Sequence, residues 1–369
     1  MQTFDVLVRG GGPVGRSLAL ALGHAGLAVA LREGATPPST AADVRAYALN
    51  ASSVALLSEL KVWDAIKAPS ITAVHEMRVR GDAAGSMLEF SAWQQHVGAL
   101  AWIVDAQALD QELDAALRFA PNVTRVDADV PATLMALCEG KGSATRSALG
   151  VEFERSDYAQ MAVAARFTST LDHQNVAHQW FRSPDVLALL PLDTPEPHHA
   201  LVMVWSCETG RAAELVEMQA QAFEAELMQA SAGAAGELKL CSARVAWPLM
   251  IANARRWHGQ AWVLLGDAAH VVHPLAGQGL NLGLADVTTL CRVIRRREPW
   301  RRLDDERLLR RYARERALPT WAMGQVTDGL LRLFAHPSPA ARELRNHGMT
   351  LVNRLPPLKR WLSARAVHS

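Results

Sequence analysis

The sequence predicts an α/β protein in which a nucleotide-binding domain is interleaved with a β-sheet domain and followed by C-terminal helices. Two glycine clusters support this prediction, one at residues 10–15 and one at residues 277–283. The third observation is that strand-like segments lie between the two clusters, within residues 72–98 and 151–247. A chain of 369 residues is long enough to bury a sizeable core in two such domains.

The first glycine cluster has the context of a dinucleotide-binding turn. An apolar, strand-like run at residues 4–9 leads into G-x-G-x-x-G at Gly10, Gly12 and Gly15, and a helical pattern, a second apolar run and the acidic Glu33 follow. In such a Rossmann-like unit the glycines allow close approach of the backbone to a pyrophosphate, and the acidic residue bonds the ribose. The helix N-terminus favours the phosphate charge. The alternative is that the glycines serve packing alone.

The second glycine cluster follows a buried-strand pattern at residues 262–265. Asp267 comes at the carboxyl end of that strand, where it is placed to bond the ribityl hydroxyls of a flavin. Pro274 stiffens the turn that follows, and the glycines at 277 and 279 let backbone amides approach a flat ring. From Leu280 a helical pattern begins, whose N-terminus would stabilise the negative charge of a reduced flavin. Together the two clusters predict an FAD protein.

Two histidines in this region have an alternative interpretation. His270 and His273 are three residues apart and could suggest a metal pair. The sequence offers no third ligand nearby, and the glycine pattern already accounts for the loop. We therefore predict a structural role for each histidine and no metal site.

With these motifs identified, the chain resembles the flavin-dependent aromatic hydroxylases, the single-component FAD monooxygenases of the 4-hydroxybenzoate hydroxylase type. Within them it is most similar to the ubiquinone-biosynthesis hydroxylases. The block G-D-A-A-H-x-x-x-P-x-x-G-Q-G-x-N-x-G-L-x-D is complete from Gly266 to Asp286. A second block, D-V-R-A-Y-A-L-N at residues 43–50, marks the ubiquinone branch, and Tyr312 and Arg316 also fit it. The resemblance covers nearly the whole chain.

The resemblance implies a chemistry and a set of site residues. NAD(P)H would reduce FAD, and O2 would form a C4a-hydroperoxide that transfers one oxygen to an aromatic ring. The family shares no acid–base residue, so we assign none, and Pro274 and the backbone of residues 277–280 are predicted only to shape the reaction chamber. Arg45 is expected to lie against the flavin and the FAD phosphates, and Gln107 near the FAD. The predicted cofactor-binding residues are Gly10, Gly12, Val14, Gly15, Glu33, Arg45, Gln107, Asp267, Gly277, Gly279, Leu280 and Asn281.

Two features depart from the family pattern, and a third departs from the usual dinucleotide-binding unit. The family motif D-G-x-x-S-x-x-R corresponds to residues 139–146, where Glu139 replaces the aspartate. The segment before this motif is also short, because a β-hairpin usual in the family is missing. We expect both departures to affect the reduction of the flavin by NAD(P)H, but not flavin binding. The third departure is Arg9, which ends the first strand where an apolar residue is usual, and the sequence alone gives no reason for it.

The positions of the motifs predict the organisation of the chain. The predicted FAD-binding domain is discontinuous, the predicted substrate-covering β-sheet domain fills its gaps, and helices end the chain. The predicted ranges are 1–70, 99–150 and 255–295 for the FAD-binding domain, 71–98 and 151–254 for the sheet domain, and 296–369 for the C-terminal helical segment. Within the second part of the sheet domain, a helix from about Ala212 to Ala230 is predicted to interrupt the strands.

Charge is distributed unevenly along the chain. The net charge is +1, but residues 292–369 contain 18 Lys and Arg against 7 Asp and Glu. Such a region could contact anionic lipid or an acidic partner, whereas the alternative is a solvated helix face beside an acidic domain. Nucleic acid is not expected, since no basic motif is interleaved with aromatic residues.

Cysteine usage and hydropathy predict the compartment. The four cysteines contain no C-x-x-C pair, which is typical of free thiols in a reducing cytoplasm. No apolar run approaches the roughly 18 residues needed to span a bilayer. We therefore expect a cytoplasmic protein, with peripheral contact to the inner membrane as an open alternative.

Three functions compete at this stage. The first is hydroxylation of a polyprenyl phenol in ubiquinone biosynthesis, within a complex of such enzymes. The second is hydroxylation of a small soluble aromatic acid, whose carboxylate would need a buried arginine such as Arg166 or Arg182. The third is a flavin-binding scaffold with weak turnover, suggested by Glu139 and the shortened segment. The resemblance of residues 43–50 to the ubiquinone branch favours the first.

Overall fold

The computed structural model describes residues 3–34, 43–81, 87–182, 184–272 and 278–335. Three residues of the second glycine cluster that were singled out above, His273, Pro274 and Gly277, lie outside these ranges. The same holds for residues 336–369 of the predicted C-terminal segment.

The described residues contain strands of three sheets. In chain order the strands are β1 (Phe4–Arg9), β2 (Val29–Arg32), β3 (Ala46–Leu49), β4 (Ile71–Val74), β5 (Glu76–Arg80), β6 (Met87–Ser91), β7 (Ala101–Asp105), β8 (Val123–Arg125), β9 (Ala132–Leu137), β10 (Phe153–Ser169), β11 (Val176–Arg182), β12 (Asp185–Leu192), β13 (Ala200–Glu208), β14 (Leu238–Leu240), β15 (Val245–Ala254), β16 (His258–Gly259), β17 (Trp262–Leu264) and β18 (His270–Val271).

Helices connect these strands and end the described chain. They are α1 (Pro13–His24), α2 (Ala51–Glu59), α3 (Ala92–Gln95), α4 (Ala106–Arg118), α5 (Ala144–Ala148), α6 (Thr209–Glu217), α7 (Ala220–Ala230), α8 (Gln278–Arg295) and α9 (Glu306–Ala335).

The first sheet is the predicted nucleotide-binding sheet, with strand order β16-β17-β9-β1-β2-β8. β1 pairs in parallel with both β2 and β9, and β9 pairs in parallel with β17. The carboxyl ends of these strands therefore meet at one edge, where Gly10, Glu33, Glu139 and Asp267 follow their respective strands. Ligands of open parallel sheets bind in the crevice at this edge.

The largest sheet has the order β18-β15-β10-β13-β12-β11-β5-β6, with β14 paired to β10. Helices α6 and α7 cover one of its faces, where Phe167 and Trp205 pack with Phe223 of α7. On the opposite face, Val202 packs with Val74 of β4 and Ile103 of β7. β4 and β7 belong to a small antiparallel sheet of order β3-β7-β4. The residues of this small sheet pack in the main core with the nucleotide-binding sheet and in a second cluster with the large sheet.

The structure differs from the sequence interpretation in one predicted helix, and it also defines the pairing of β4. The sequence pattern predicted one helix at about residues 212–230, but Met218 and Gln219 adopt extended backbone angles and divide it into α6 and α7. The division lets α6 pack on β10 and α7 on β14. β4, at the start of the predicted 71–98 segment, pairs with β7 and not with the large sheet. The domain boundaries themselves stay a prediction.

A buried carboxylate, Asp286 of α8, joins two other parts of the chain, the segment 266–270 and α9. Its Oδ2 accepts hydrogen bonds from the Gly266 amide at 2.9 Å and from His270 Nε2 at 2.7 Å. Its Oδ1 accepts one from Arg316 Nε of α9 at 2.6 Å. Burial alone would raise the pKa of Asp286, but His270 and Arg316 outweigh it and lower the pKa below its ordinary value. His270 therefore has a structural partner within the fold.

Removing the Arg316 guanidinium should destabilise the fold strongly. We expect Arg316→Met to lower the free energy of unfolding by about 3–5 kcal/mol, because it removes a cationic partner from a buried carboxylate. The measurement is chemical denaturation at pH 7. Arg314→Met, at an exposed position of the same helix, is the matched control and should change stability by less than about 0.5 kcal/mol. Equal effects of the two substitutions would contradict this assignment.

The same network predicts how stability depends on pH. Because the folded-state pKa of Asp286 lies below its ordinary value of 3.8, its stabilising effect is present above that value. It is lost as the pH falls through the lowered folded-state pKa. Asp286→Asn should therefore flatten the loss of unfolding free energy on the acid side, in denaturation series between about pH 6 and pH 3. An unchanged acid limb would show that this carboxyl does not contribute.

Candidate active site

The turn between β1 and α1 depends on two glycines that no other residue could replace. Gly10 has a φ of 123°, and a Cβ there would lie 2.2 Å from the Cys138 carbonyl oxygen. A Cβ on Gly15 would lie 2.0 Å from the carbonyl oxygen of Gly10. Gly12 is different, since a Cβ there would meet no described atom within 4 Å. Gly10 and Gly15 thus close the turn, and Gly12 leaves open space in front of it.

The N-terminus of α1 faces this space with its backbone amides uncapped. Gly12 is the N-cap residue, no side chain of the described structure caps the helix, and its first turn has no acidic residue. Free amides and the helix dipole form a site for a phosphate anion. Arg16, also in the first turn, adds a positive charge that the sequence motif did not single out.

Glu33 lies beside the turn, at the position predicted for ribose binding. Its Oε1 accepts a hydrogen bond from Arg16 Nε at 2.9 Å. Gly11 allows this close approach, since a Cβ there would lie 2.7 Å from Glu33 Cβ. Neither Gly11 nor Arg16 was among the predicted site residues. The ribose contact of Glu33 itself stays a prediction.

A cleft of about 440 Å³ opens next to this turn and brings predicted residues together. Gln107, at the start of α4, lines it together with Arg16, Asp43 and Asp110. Arg45 adjoins it, because its Nε and NH2 donate to the Asp43 carboxylate at 2.9 and 2.7 Å. That pairing raises the pKa of Arg45, which stays a half-exposed cation. The cleft therefore extends the phosphate site between α1, α4 and the segment before β3.

The predicted flavin end of the site is the short 3-10 turn Gly266–Ala268, which carries Asp267. The Asp267 side chain is exposed to the crevice, yet the surrounding protein limits its solvation and raises the pKa of the carboxyl despite the opposing charges of His270 and Lys141. Arg146 supports the turn from below, since its NH1 donates to the Ala268 carbonyl at 2.9 Å. The motif at residues 139–146 is thereby tied to the Asp267 turn.

The first turn of α8 lies next to this turn. A Cβ on Gly279 would meet no described atom within 4 Å, whereas a Cβ on Gly283 would lie 2.5 Å from Val14 Cγ2. Val14 thus packs α1 directly against α8. Leu280 packs against the main core and does not project freely.

Two polar side chains of α8, those of Asn281 and Gln278, differ in their hydrogen bonding. Asn281 Oδ1 accepts hydrogen bonds from the Asn50 amide and from Ser53 Oγ, at 2.9 and 2.8 Å, and its Nδ2 donates to the Ala48 carbonyl. Its side chain thus joins α8 to the corner between β3 and α2, and a direct contact to the flavin stays a prediction. Gln278, which was not among the predicted site residues, has a buried Oε1 without a partner among the described residues.

Arg9 and Glu139, the two unusual residues of the sequence, form an ion pair. Arg9 Nε lies 3.0 Å from Glu139 Oε1, and both side chains are mostly buried. The same carboxylate accepts hydrogen bonds from Ser143 Oγ and from Thr145 Oγ1, at 2.5 and 2.9 Å. The longer side chain of glutamate thus spans from the loop to the end of β1. Its effect on flavin reduction stays a prediction.

A cluster outside the crevice has the composition of a metal site but is held by hydrogen bonds. His173, Asp193 and His198 place their ligand atoms within 4.8 Å of one another. His173 Nδ1 accepts a hydrogen bond from the Asn175 amide, which leaves the ring proton on Nε2, 3.3 Å from Asp193 Oδ1. Asp193 Oδ1 also accepts the His198 amide at 2.8 Å. These hydrogen bonds explain why the three side chains lie together, since they stabilise the turn that carries them.

The described residues fit FAD. An uncapped helix N-terminus and open space at Gly12 suit the pyrophosphate, and the accessible Asp267 carboxylate suits the ribityl chain. The unpartnered Oε1 of Gln278 suits a hydrogen-bond donor at the edge of the ring. When bound, FAD would supply the redox and oxygen chemistry.

Two glycine substitutions should separate cofactor binding from folding. Gly12→Ala should cost the apoprotein about 1 kcal/mol or less, yet weaken FAD at least about tenfold, because the methyl group enters the space before the pyrophosphate. Gly15→Ala should lower both stability and affinity, since it overlaps the Gly10 carbonyl. Thermal unfolding of the apoprotein and FAD titration measure the two effects. Gly210→Ala, at an open position of α6, is the control and should change neither.

Comparison with known proteins identifies the family. The family model described as an FAD binding domain matches residues 3–101 and 103–327. The 3-demethoxyubiquinol 3-hydroxylase of Escherichia coli is 29% identical, over 97% of this chain and 97% of the relative. The ubiquinone hydroxylase UbiL of Rhodospirillum rubrum is 28% identical, over 98% of this chain and 89% of the relative.

Solved structures agree on the fold. The p-nitrophenol 4-monooxygenase PnpA of Pseudomonas putida aligns with a TM-score of 0.76 at 18% identity, covering 100% of this chain and 99% of that chain. The predicted α/β fold of an FAD-dependent monooxygenase is thereby confirmed, and so is the predicted resemblance to the hydroxylases. The chain belongs to the FAD-binding domain family and takes FAD as its cofactor.

Proposed function

We propose that this protein is an FAD-dependent monooxygenase that uses NAD(P)H and O2 to hydroxylate the ring of a polyprenyl phenol in ubiquinone biosynthesis. The observation that carries the proposal is the similarity, along nearly the whole chain, to hydroxylases named for ubiquinone and demethoxyubiquinol. FAD, when bound, supplies the oxygen chemistry. The residues of this chain bind the cofactor, orient the ring and exclude water.

The large sheet carries a buried apolar cluster, and we propose that the isoprenoid chain of such a substrate packs beside it. Val79, Phe181 and Val186 form a cluster on β5, β11 and β12, flanked by the partly buried Met77, Leu88, Phe90 and Tyr158. Met77 also packs in the cluster that joins the large sheet to β4 and β7. The two apolar clusters are therefore adjacent on the large sheet. An isoprenoid chain buries apolar area and needs apolar neighbours of this kind.

The second function, hydroxylation of a small aromatic acid, has less support. It needs a buried cation for the substrate carboxylate, and Arg166 and Arg182 were the candidates. Arg166 pairs with Asp105 at 2.7 Å and also donates to backbone carbonyls. Arg182 aligns with Asp185 at the end of β11 and lines a cleft beneath α7, on the helix-covered face of the sheet. Neither arginine is placed to bind a substrate carboxylate.

The third function, a scaffold with weak turnover, rested on Glu139 and the shortened segment. Glu139 now has a defined partner in Arg9, and the Asp267 turn is held in place by Arg146. These contacts favour a hydroxylase with an ordered active site over a flavin-binding scaffold with weak turnover.

The proposal is tested by the quinones of a strain that lacks the protein. Mass spectrometry should show an under-hydroxylated polyprenyl phenol, and the missing oxygen would identify the ring position. The intact chain should restore the normal profile, whereas Gly10→Val, which blocks the cofactor turn, should not. A normal profile in the deletion strain, with no redundant hydroxylase present, would refute the proposal.

We also propose that α9 and the loop before it contact an anionic bilayer. Arg311, Arg314, Leu318 and Trp321 are spaced three or four residues apart and are all exposed, so they share one face of α9. Leu318 is 69% and Trp321 60% exposed, and Trp300 in the preceding loop is 79% exposed. Arginines with exposed tryptophan and leucine suit the headgroup region of an anionic membrane. No helix among the described residues is long and apolar enough to cross a bilayer.

Sedimentation with vesicles tests this contact. The protein should bind vesicles of phosphatidylglycerol and phosphatidylcholine more tightly than vesicles of phosphatidylcholine alone, and salt should weaken the binding. Substituting both Trp300 and Trp321 with serine should reduce binding at least about threefold. Trp93→Ser is the control, since Trp93 is 88% exposed but lies beside the large sheet. An equal loss in the control, or no preference for anionic vesicles, would count against the contact. Assembly with other biosynthetic enzymes stays a prediction.

A further inference from the structure

The side chain of Arg166 in β10 forms hydrogen bonds to the backbone of residues 43–45, the segment that carries Arg45. Its NH2 donates to the carbonyl oxygens of Asp43 and Arg45 at 2.9 and 3.1 Å, and its Nε donates to that of Val44 at 3.2 Å. One guanidinium thus holds three successive backbone carbonyls. The segment precedes β3 and lies outside the helices and strands, so these contacts replace the bonds that regular structure would provide.

The same guanidinium reaches the start of α4. Its NH1 lies 2.7 Å from Asp105 Oδ2, and Asp105 Oδ1 accepts the Ala108 amide at 2.9 Å as the N-cap of that helix. Gln107, which lines the cofactor cleft, belongs to this first turn. A further bond, from the Ala106 amide to the Arg45 carbonyl, joins the two segments directly.

Arg166 is itself fixed in the large sheet. β10 pairs with β13 and β15 on either side, and the Arg166 amide donates to Ser242 Oγ at 2.8 Å. The side chain therefore extends from a rigid strand of the predicted substrate domain to two elements that border the cofactor cleft. Only a planar fork of several donors can serve three carbonyls and a carboxylate at once, and lysine lacks that geometry.

We propose that Arg166 is a positioning residue for FAD. It holds Arg45 and Gln107 at the cleft and so pre-organises the cofactor site in the free protein. The proposal goes beyond the hydroxylase function, because it concerns how a strand of the large sheet sets the cofactor site. It depends on FAD binding alone and not on the identity of the substrate.

Two substitutions at this position give different expected results. Arg166→Met removes all four contacts and leaves Asp105 unpaired, so both the apoprotein melting temperature and the FAD affinity should fall. Arg166→Lys keeps a cation for Asp105 but loses the fork to the carbonyls. It should retain most of the melting temperature while weakening FAD on the order of tenfold to a hundredfold. Arg182→Met, on the other face of the sheet, is the matched control and should leave FAD affinity unchanged.

The measurements are titration of the apoprotein with FAD, followed by flavin fluorescence, and thermal unfolding of the apoprotein. An FAD affinity of Arg166→Lys within about twofold of the native protein would overturn the proposal. So would a loss of affinity that merely follows the loss of melting temperature across the variants. If Arg166→Met does not fold, the lysine variant decides alone. Because no substrate is present, failure here is distinct from failure of the proposed hydroxylation.

Discussion

The cofactor side of this protein depends on the requirement that a buried carboxylate must be fully bonded. Asp286 satisfies it with donors from the Gly266 amide, from His270 and from Arg316. These donors belong to two parts of the chain, the segment 266–270 and α9, which the carboxylate of α8 holds together. Since the Gly266 amide is one of them, the position of Asp267 follows directly from the burial of Asp286. A buried charge without its partners costs several kcal/mol, which makes this arrangement hard to vary.

Close packing at glycine positions is a second constraint on the cofactor side, in addition to the buried charge of Asp286. Val14 of α1 lies close to positions 266 and 283, where an added Cβ would lie 3.3 and 2.5 Å from Val14 Cγ2, so the helix of the predicted phosphate site packs on the turn and the helix of the predicted flavin site. The two glycine clusters of the sequence are thus parts of one contact. The contact thus brings together the segments that are predicted to bind the two ends of one dinucleotide, although they are about 250 residues apart in the sequence.

The sequence predicted those features whose causes are local. The strand, turn and helix at residues 4–24 and the G-D-A-A-H block were recognised because spacing along the chain reports backbone conformation. Gly10 and Gly15 close the turn as the motif implies. Gly11, Arg16 and Gln278 were missed although they stand inside the same motifs, since their roles depend on Glu33 or on a buried position that spacing does not report. The division of the predicted helix at Met218 was missed because no glycine or proline marks it. The predictions for Pro274 and Gly277 concern positions outside the described residues.

Contacts between residues far apart in the sequence could not be predicted from it. The ion pair of Arg9 and Glu139 is an example, because the sequence analysis treated the two residues separately. Each looked like a separate irregularity, one without a reason and the other a potential defect, yet they are 3.0 Å apart and compensate each other. Arg9 also pairs with Asp129 at 3.1 Å, so its guanidinium lies between two carboxylates, and the longer side chain of Glu139 supplies the one at the end of β9. Ancestral reconstruction, or exchange of motifs between this chain and its relatives, should treat positions 9 and 139 as a single character. A chimaera that restores only the family's aspartate would leave an arginine beside the phosphate turn with a shortened partner.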